Sequence, residues 1–168
     1  MTRRPATGPG KWVLLSYRIP REPSTPRITI WRKLKRLGVA QLSDGLIALP
    51  SDARTREQLD WLAEEIVDAG GTASVWLAQP ATLAQERDLA AAMAAARSDE
   101  YRAVIDHAAA TDTASAAERI RTVRRLRDEL RRIHRRDYFP PAERDAARQA
   151  VETLAEPRTE ADTPEIAP

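Results

Sequence analysis

Residues 12–17 read Trp12-Val13-Leu14-Leu15-Ser16-Tyr17, a short β-branched and aromatic run closed by Pro20 and Pro23. That combination marks a buried strand. Thr25-Pro26 then supplies a hydroxyl N-cap and a proline at the first helical position, and Gly38 supplies the stop, so the spacing predicts a helix over 26–37. Ile28, Ile30, Trp31, Leu34 and Leu37 fall within half of its wheel and are expected to face inward, opposite Arg32, Lys33 and Arg36. Two apolar runs, 39–42 and 46–49, flank Ser43-Asp44-Gly45, a hairpin signal with a bulge. A second helix is expected over 55–69, with Leu59, Leu62, Ala63, Ile66 and Val67 inward and Gly70-Gly71 as its stop. A last strand follows over 72–77, ended by Pro80. The order β-α-β-β-α-β within 11–80 is that of a ferredoxin-like α+β domain, a four-stranded antiparallel sheet with two helices on one face.

Beyond Pro80 the expectation is a C-terminal helical extension over 81–155. Thr82 with Gln85 forms a capping box before an alanine-rich helix reaching Ala96, and Ser98 reads as the N-cap of a separate helix whose apolar face is Tyr101, Val104, Ile105 and Ala108. In the long helix 116–136, Val123, Leu126, Leu130 and Ile133 form an apolar stripe that needs a partner. Pro140-Pro141 opens a final helix reaching Leu154. The Pro/Gly-rich residues 1–10 and the acidic residues 156–168 are expected to be disordered.

Composition removes much of the enzyme inventory. There is no cysteine among 168 residues, hence no disulfide, thiolate metal site or thiol redox chemistry. His107 and His134 are the only histidines, and no nucleotide-loop, nucleophile-elbow or metalloprotease motif occurs. No catalytic residue, metal site or cofactor is therefore expected. Some ferredoxin-like nucleases use a metal-binding aspartate where the first strand ends. Here that strand ends Ser16-Tyr17-Arg18, which disfavours a metal-dependent RNase. No apolar run approaches the roughly 20 residues of a membrane span, and the run after the basic N-terminus is too short for a signal peptide, so a cytoplasmic location is expected.

The net charge of +2 conceals segregation. Residues 1–56 hold twelve Lys/Arg against three Asp/Glu, and residues 57–117 hold three against eleven. No acid lies between Pro23 and Ser43. Arg27, Arg32, Lys33, Lys35 and Arg36 are thus candidates for binding nucleic-acid phosphate, with an ordinary solvated helix face as the equal alternative. Arg121, Arg124, Arg125, Arg131, Arg132 and Arg135 form a secondary basic surface on the long helix, for which pairing with the acidic block is the plainer reading. Arg18, Arg21 and Arg27 are the candidate oxyanion set. They gather at a strand end and helix start, and guanidinium forks match two oxygens at once. Trp61, on the polar side of its helix, is expected to be covered by the C-terminal helices, with a partner-binding anchor as the other reading.

Three stretches together resemble the N-terminal part of the ChrB family of chromate-resistance regulators. They are residues 12–20 with Pro26 and Trp31-Arg32-Lys33-Leu34-Lys35-Arg36-Leu37-Gly38-Val39; the hairpin Gly45-Leu46-Ile47-Ala48-Leu49-Pro50; and Arg136-Asp137-Tyr138-Phe139. Ser98-Asp99-Glu100-Tyr101 also fits a family position. The portion Trp31-Arg32, Leu34, Leu37-Gly38 with Leu49-Pro50 is similar, more weakly, to PaaX-type repressors. The resemblance implies a bacterial, cytoplasmic, DNA-binding regulator of chromate efflux that responds to chromate and works as a homodimer. Longer members of the family continue into a second, C-terminal domain, and the resemblance here covers the N-terminal part. Without a thiol, a response to chromate, or binding of sulfate, must be oxyanion recognition. The expectation from a different class is a protein–protein adaptor that binds no nucleic acid.

Overall fold

The structure, a computed structural model, describes residues 9–157. The elements are β1 (Trp12–Arg18), α1 (Ser24–Leu37), β2 (Ala40–Ser43), β3 (Leu46–Pro50), α2 (Ala53–Asp68), β4 (Thr72–Ala78), α3 (Leu83–Thr111), α4 (Ala116–His134) and α5 (Glu143–Ala155). The protein is therefore α+β, with one four-stranded antiparallel sheet of order β2-β3-β1-β4. The expectations for residues 1–8 and 158–168 lie outside the described residues.

The chain divides into two compact units. One comprises the sheet, α1, α2, the first half of α3 and residues 136–139; the other comprises residues 96–135 and those from Pro140 onward. In the first unit β1 sits between β3 and β4. Val13 pairs with Leu49 and Leu77, and Leu15 with Ile47 and Val75, so these side chains share a face. Val13, Leu15, Ile47 and Leu49 are fully buried in one cluster with Ile30 and Leu34 of α1 and Leu59, Leu62 and Ile66 of α2. Alternation sends Trp12 to the opposite face. Its ring stacks on Phe139 with centroids 6.0 Å apart, and its indole N–H donates to Glu86 at 3.1 Å. The Arg136–Phe139 segment singled out in the sequence thus serves as cover for the first strand.

Local caps explain the element ends. Asp52 accepts the Thr55 N–H at 2.7 Å, and Thr55 Oγ1 accepts the Asp52 N–H and donates to the Pro50 carbonyl at 2.7 Å. This reciprocal cap starts α2 at Ala53, two residues before the sequence expectation. Gly38, at φ 68°, ends α1 in the left-handed conformation. The start of α1 differs from expectation. It begins at Ser24, with Pro23 as N-cap and no side-chain cap, so Pro26 lies in the first turn, where its missing N–H costs nothing. In the hairpin the register shift falls between Gln41 and Ser43, and Gly45 turns the chain at φ 73°.

Four inward assignments are corrected. Ile28 is 47% exposed and Trp31 55%, because only the Ile30–Leu34 line of α1 meets the sheet. Val67 of α2 is exposed for the same reason, beside buried Ile66. Trp61, expected to be covered, is 62% exposed. The expected break at Ser98 is absent: α3 runs unbroken through it. Alanines on its N-terminal side favour the helix, and the buried Ser98 hydroxyl bonds to the Glu143 carboxylate in place of capping.

In the second unit, Tyr101, Val104 and Ala108 of α3 form one buried cluster with Val123, Leu126 and Ile133 of α4 and Ala147, Val151 and Leu154 of α5. The apolar stripe of α4 has the partner it requires. Arg119 is buried there, and its Nη2 donates to the carbonyls of Leu154 and Glu156 at 2.9 and 2.8 Å. A guanidinium thus caps the C-terminal end of α5, where the helix dipole is negative.

Candidate functional site

On α1 the spacing of four places Arg27, Trp31 and Lys35 in one row and Ile28, Arg32 and Arg36 in the next. All six are exposed. The helix is therefore amphipathic in an unusual sense: its outward face mixes cations with an aromatic and an aliphatic side chain. Lys35 Nζ lies 4.3 Å from the Trp31 ring centroid, within cation–π range.

Two recesses border this helix. The larger, about 790 Å³, is walled by Arg27, Trp31 and Arg32 of α1, Arg18 at the end of β1, and Gln41 and Asp44 of the hairpin. Its floor is shaped by a close approach: the Tyr17 N–H donates to the Gly45 carbonyl at 2.7 Å, and a Cβ on Gly45 would lie 2.4 Å from the Tyr17 carbonyl oxygen. Burial, and after it the Asp44 charge, pushes the Tyr17 phenol above its ordinary pKa of 10.0, so it remains a neutral hydroxyl. The smaller recess, about 470 Å³, is walled by Arg18, Arg21 and Arg27 with the Gly70-Gly71 turn. Gly71 permits that wall, because a Cβ there would meet the Arg18 carbonyl oxygen at 2.4 Å.

All three candidate oxyanion residues, Arg18, Arg21 and Arg27, thus line one recess, and Arg18 and Arg27 also line the larger one. The α1 candidates separate. Arg27, Arg32 and Arg36 have no ion-pair partner among the described residues, whereas Lys33 is half-buried and ion-paired with Glu65 of α2. Lys35 is occupied with Trp31. Sequence reasoning missed Ile28 and Trp31 as outward residues. The signal was available, since Trp31 sits midway between Arg27 and Lys35 on one row.

On α4 the basic stripe is largely engaged. Arg131 pairs with Asp128, Arg132 with Glu129, and Arg125 contacts the His107 ring. Arg121 and Arg135 are exposed. Arg124, Arg127 and Arg131 border a groove of about 670 Å³ with Ile120 and Leu154, which the expectation of outward splay did not foresee. Among the described residues no group of three His, Asp or Glu side chains could hold a metal ion, and no helix is long and apolar enough to cross a membrane.

The comparisons with known proteins follow this geometry. No solved structure matches the chain. Protein ChrB of Cupriavidus metallidurans is 31% identical over 144 residues, covering 83% of this chain. The chain spans 44% of that relative's length. The family model described as "Protein ChrB, N-terminal" matches residues 27–162, which takes in α1 from Arg27 onward, the hairpin and all three C-terminal helices. The chain belongs to the ChrB N-terminal family.

Proposed function

We propose that this chain is a chromate-responsive transcriptional regulator of a chromate-resistance system. It is a non-enzymatic, cytoplasmic DNA-binding protein that acts as a homodimer on the operator of a chromate transporter operon. The observation that carries the reading is the set of exposed, unpaired cations on one face of α1, Arg27, Arg32 and Arg36, on a helix without a single acidic residue. Exposed helices ordinarily interleave signs, whereas phosphate backbones favour a run of one. The frame supports a ferredoxin-like assignment: β1 lies between β3 and β4, every neighbouring pair is antiparallel, and α1 and α2 bury their apolar lines in one cluster with the sheet. Chromate or sulfate is the oxyanion for Arg18, Arg21 and Arg27, whose recess offers three guanidinium groups to a dianion. With no cysteine, chromate is bound and not reduced by a thiol.

A mobility-shift titration on duplex DNA from upstream of a chromate transporter gene tests the reading. Binding at low salt, loss of binding as salt rises, and a changed affinity with chromate are the expected results. Failure to shift any duplex at low salt overturns it. Exposed Trp61 and Val67 on α2 favour the adaptor as second reading. An adaptor gripping through apolar surface would hold its partner with little response to salt.

A further inference from the structure

The larger recess contains more than a phosphate site requires. A phosphate backbone needs only cations, yet here an indole that is 55% exposed stands between Arg27 and Lys35 and borders the same cleft as Arg18, Arg27 and Arg32. We propose that this cleft binds an unpaired nucleotide, with the base stacked on Trp31 and the phosphate on the arginines. Duplex DNA keeps its bases stacked inside the helix, so a base can reach Trp31 only from a single strand, a flipped position or a free nucleotide.

The chemistry of the lining fits both halves of such a ligand. Lys35 occupies one face of the Trp31 ring, at 4.3 Å. Trp31 and Ile28 both border the cleft and are exposed, so the lining offers a base an aromatic and an aliphatic surface. The arginines provide the bidentate donors a phosphate accepts. Gln41 offers donor and acceptor groups to a base edge, while the Asp44 carboxylate accepts base N–H groups and repels phosphate from the hairpin side. The volume, about 790 Å³, lies within the range of clefts that hold cofactor-sized ligands. The proposal shares Arg27 and Arg32 with the duplex reading but does not depend on it, because Trp31 contributes nothing to gripping a duplex backbone.

The test measures binding of the whole chain to three probes: a fluorescein-labelled twelve-residue oligo-dT, free adenosine monophosphate by calorimetry, and inorganic phosphate alone. The oligonucleotide and the mononucleotide should both bind, each more tightly than phosphate by roughly tenfold or more, the increment a stacked base supplies. Binding of the oligonucleotide alone would assign the site to single strands, and binding of the mononucleotide alone to a free nucleotide; either supports the cleft. Trp31→Leu should abolish the advantage over phosphate, and Trp31→Phe should restore part of it. Because Trp31 is exposed, both variants are expected to fold, with circular dichroism as the check. Equal affinity for nucleotide and phosphate, or a Trp31→Leu variant that keeps the increment, overturns the proposal whatever the outcome with duplex DNA.

Discussion

Lys33 of α1 is ion-paired with Glu65 of α2, across the helix pair that covers the sheet. Its side chain is 39% exposed and that of Glu65 38%, so the pair tethers two helices at the edge of the core. That removes Lys33 from the set of cations offered outward and divides the basic helix into a structural residue and a binding face.

Lys33→Met should therefore leave affinity for duplex DNA within about twofold, and should lower unfolding free energy by no more than about 1 kcal/mol, the scale of a half-exposed pair. Arg27→Ala with Arg32→Ala should instead weaken DNA binding and reduce the slope of log affinity against log salt by about 2, roughly one per phosphate contact. Fluorescence anisotropy at several salt concentrations distinguishes them. An equal loss in the Lys33 variant would refute the division.

Arg18 and Arg21 bear on the oxyanion. Substituting both with alanine should weaken chromate or sulfate binding measured by calorimetry at least tenfold, because two of three guanidinium groups leave the recess. Arg27, Arg32 and Arg36 remain, so duplex binding should persist. Unchanged oxyanion affinity with an intact circular dichroism spectrum would move attention to the groove bordered by Arg124, Arg127 and Arg131.

The elements most readable in the sequence were those with punctuation. Pro20, Gly38, Gly45, Pro50, Gly70 and Pro80 bound short apolar runs, and the strands and the first two helices lie where these residues place them, within two residues at the ends. Ser98 shows the limit of that method. A serine followed by an acidic pair resembles a cap, but a buried partner for its hydroxyl, Glu143, lies 45 residues away and no local pattern records it. Trp31 and Ile28 show another. A helical wheel identifies which residues share a half-face, while tertiary contact selects the narrower line, Ile30 and Leu34, that is buried. The cleft was the least readable feature, since its wall joins a strand end, a helix face and a hairpin.

Arg119 is legible only in the structure, where it is 9% exposed and closes the end of α5. Arg119→Met keeps much of the apolar stem but leaves the carbonyls of Leu154 and Glu156 without their donor. The loss should be about 2–3 kcal/mol, as for hydrogen bonds from a charged group to buried acceptors. Urea unfolding measures it, and amide exchange near Leu154 should accelerate most. A change below about 0.5 kcal/mol would mean that water replaces the cap.

Glu143 supplies a pH dependence. It opens α5, and its carboxylate is held below the ordinary range chiefly by a backbone N–H at its own residue, then by the Ser98 hydroxyl and by Arg102, whose Nη2 lies 2.6 Å away. A carboxyl whose folded value is lowered stabilises the native state above its unfolded pKa and loses that contribution as pH falls through the folded one. The wild-type chain should thus exceed Glu143→Gln in urea midpoint at neutral pH, and the gap should close as the solution is acidified below about pH 4. Ser98→Ala should narrow the same gap, because it removes a donor that favours the ionised form. Arg102 is 59% exposed, so added salt should erode its share and leave the backbone and Ser98 contributions. A gap between wild type and Glu143→Gln that stays constant from neutral pH to pH 3 would show that the carboxylate's charge contributes nothing to holding α5 against α3.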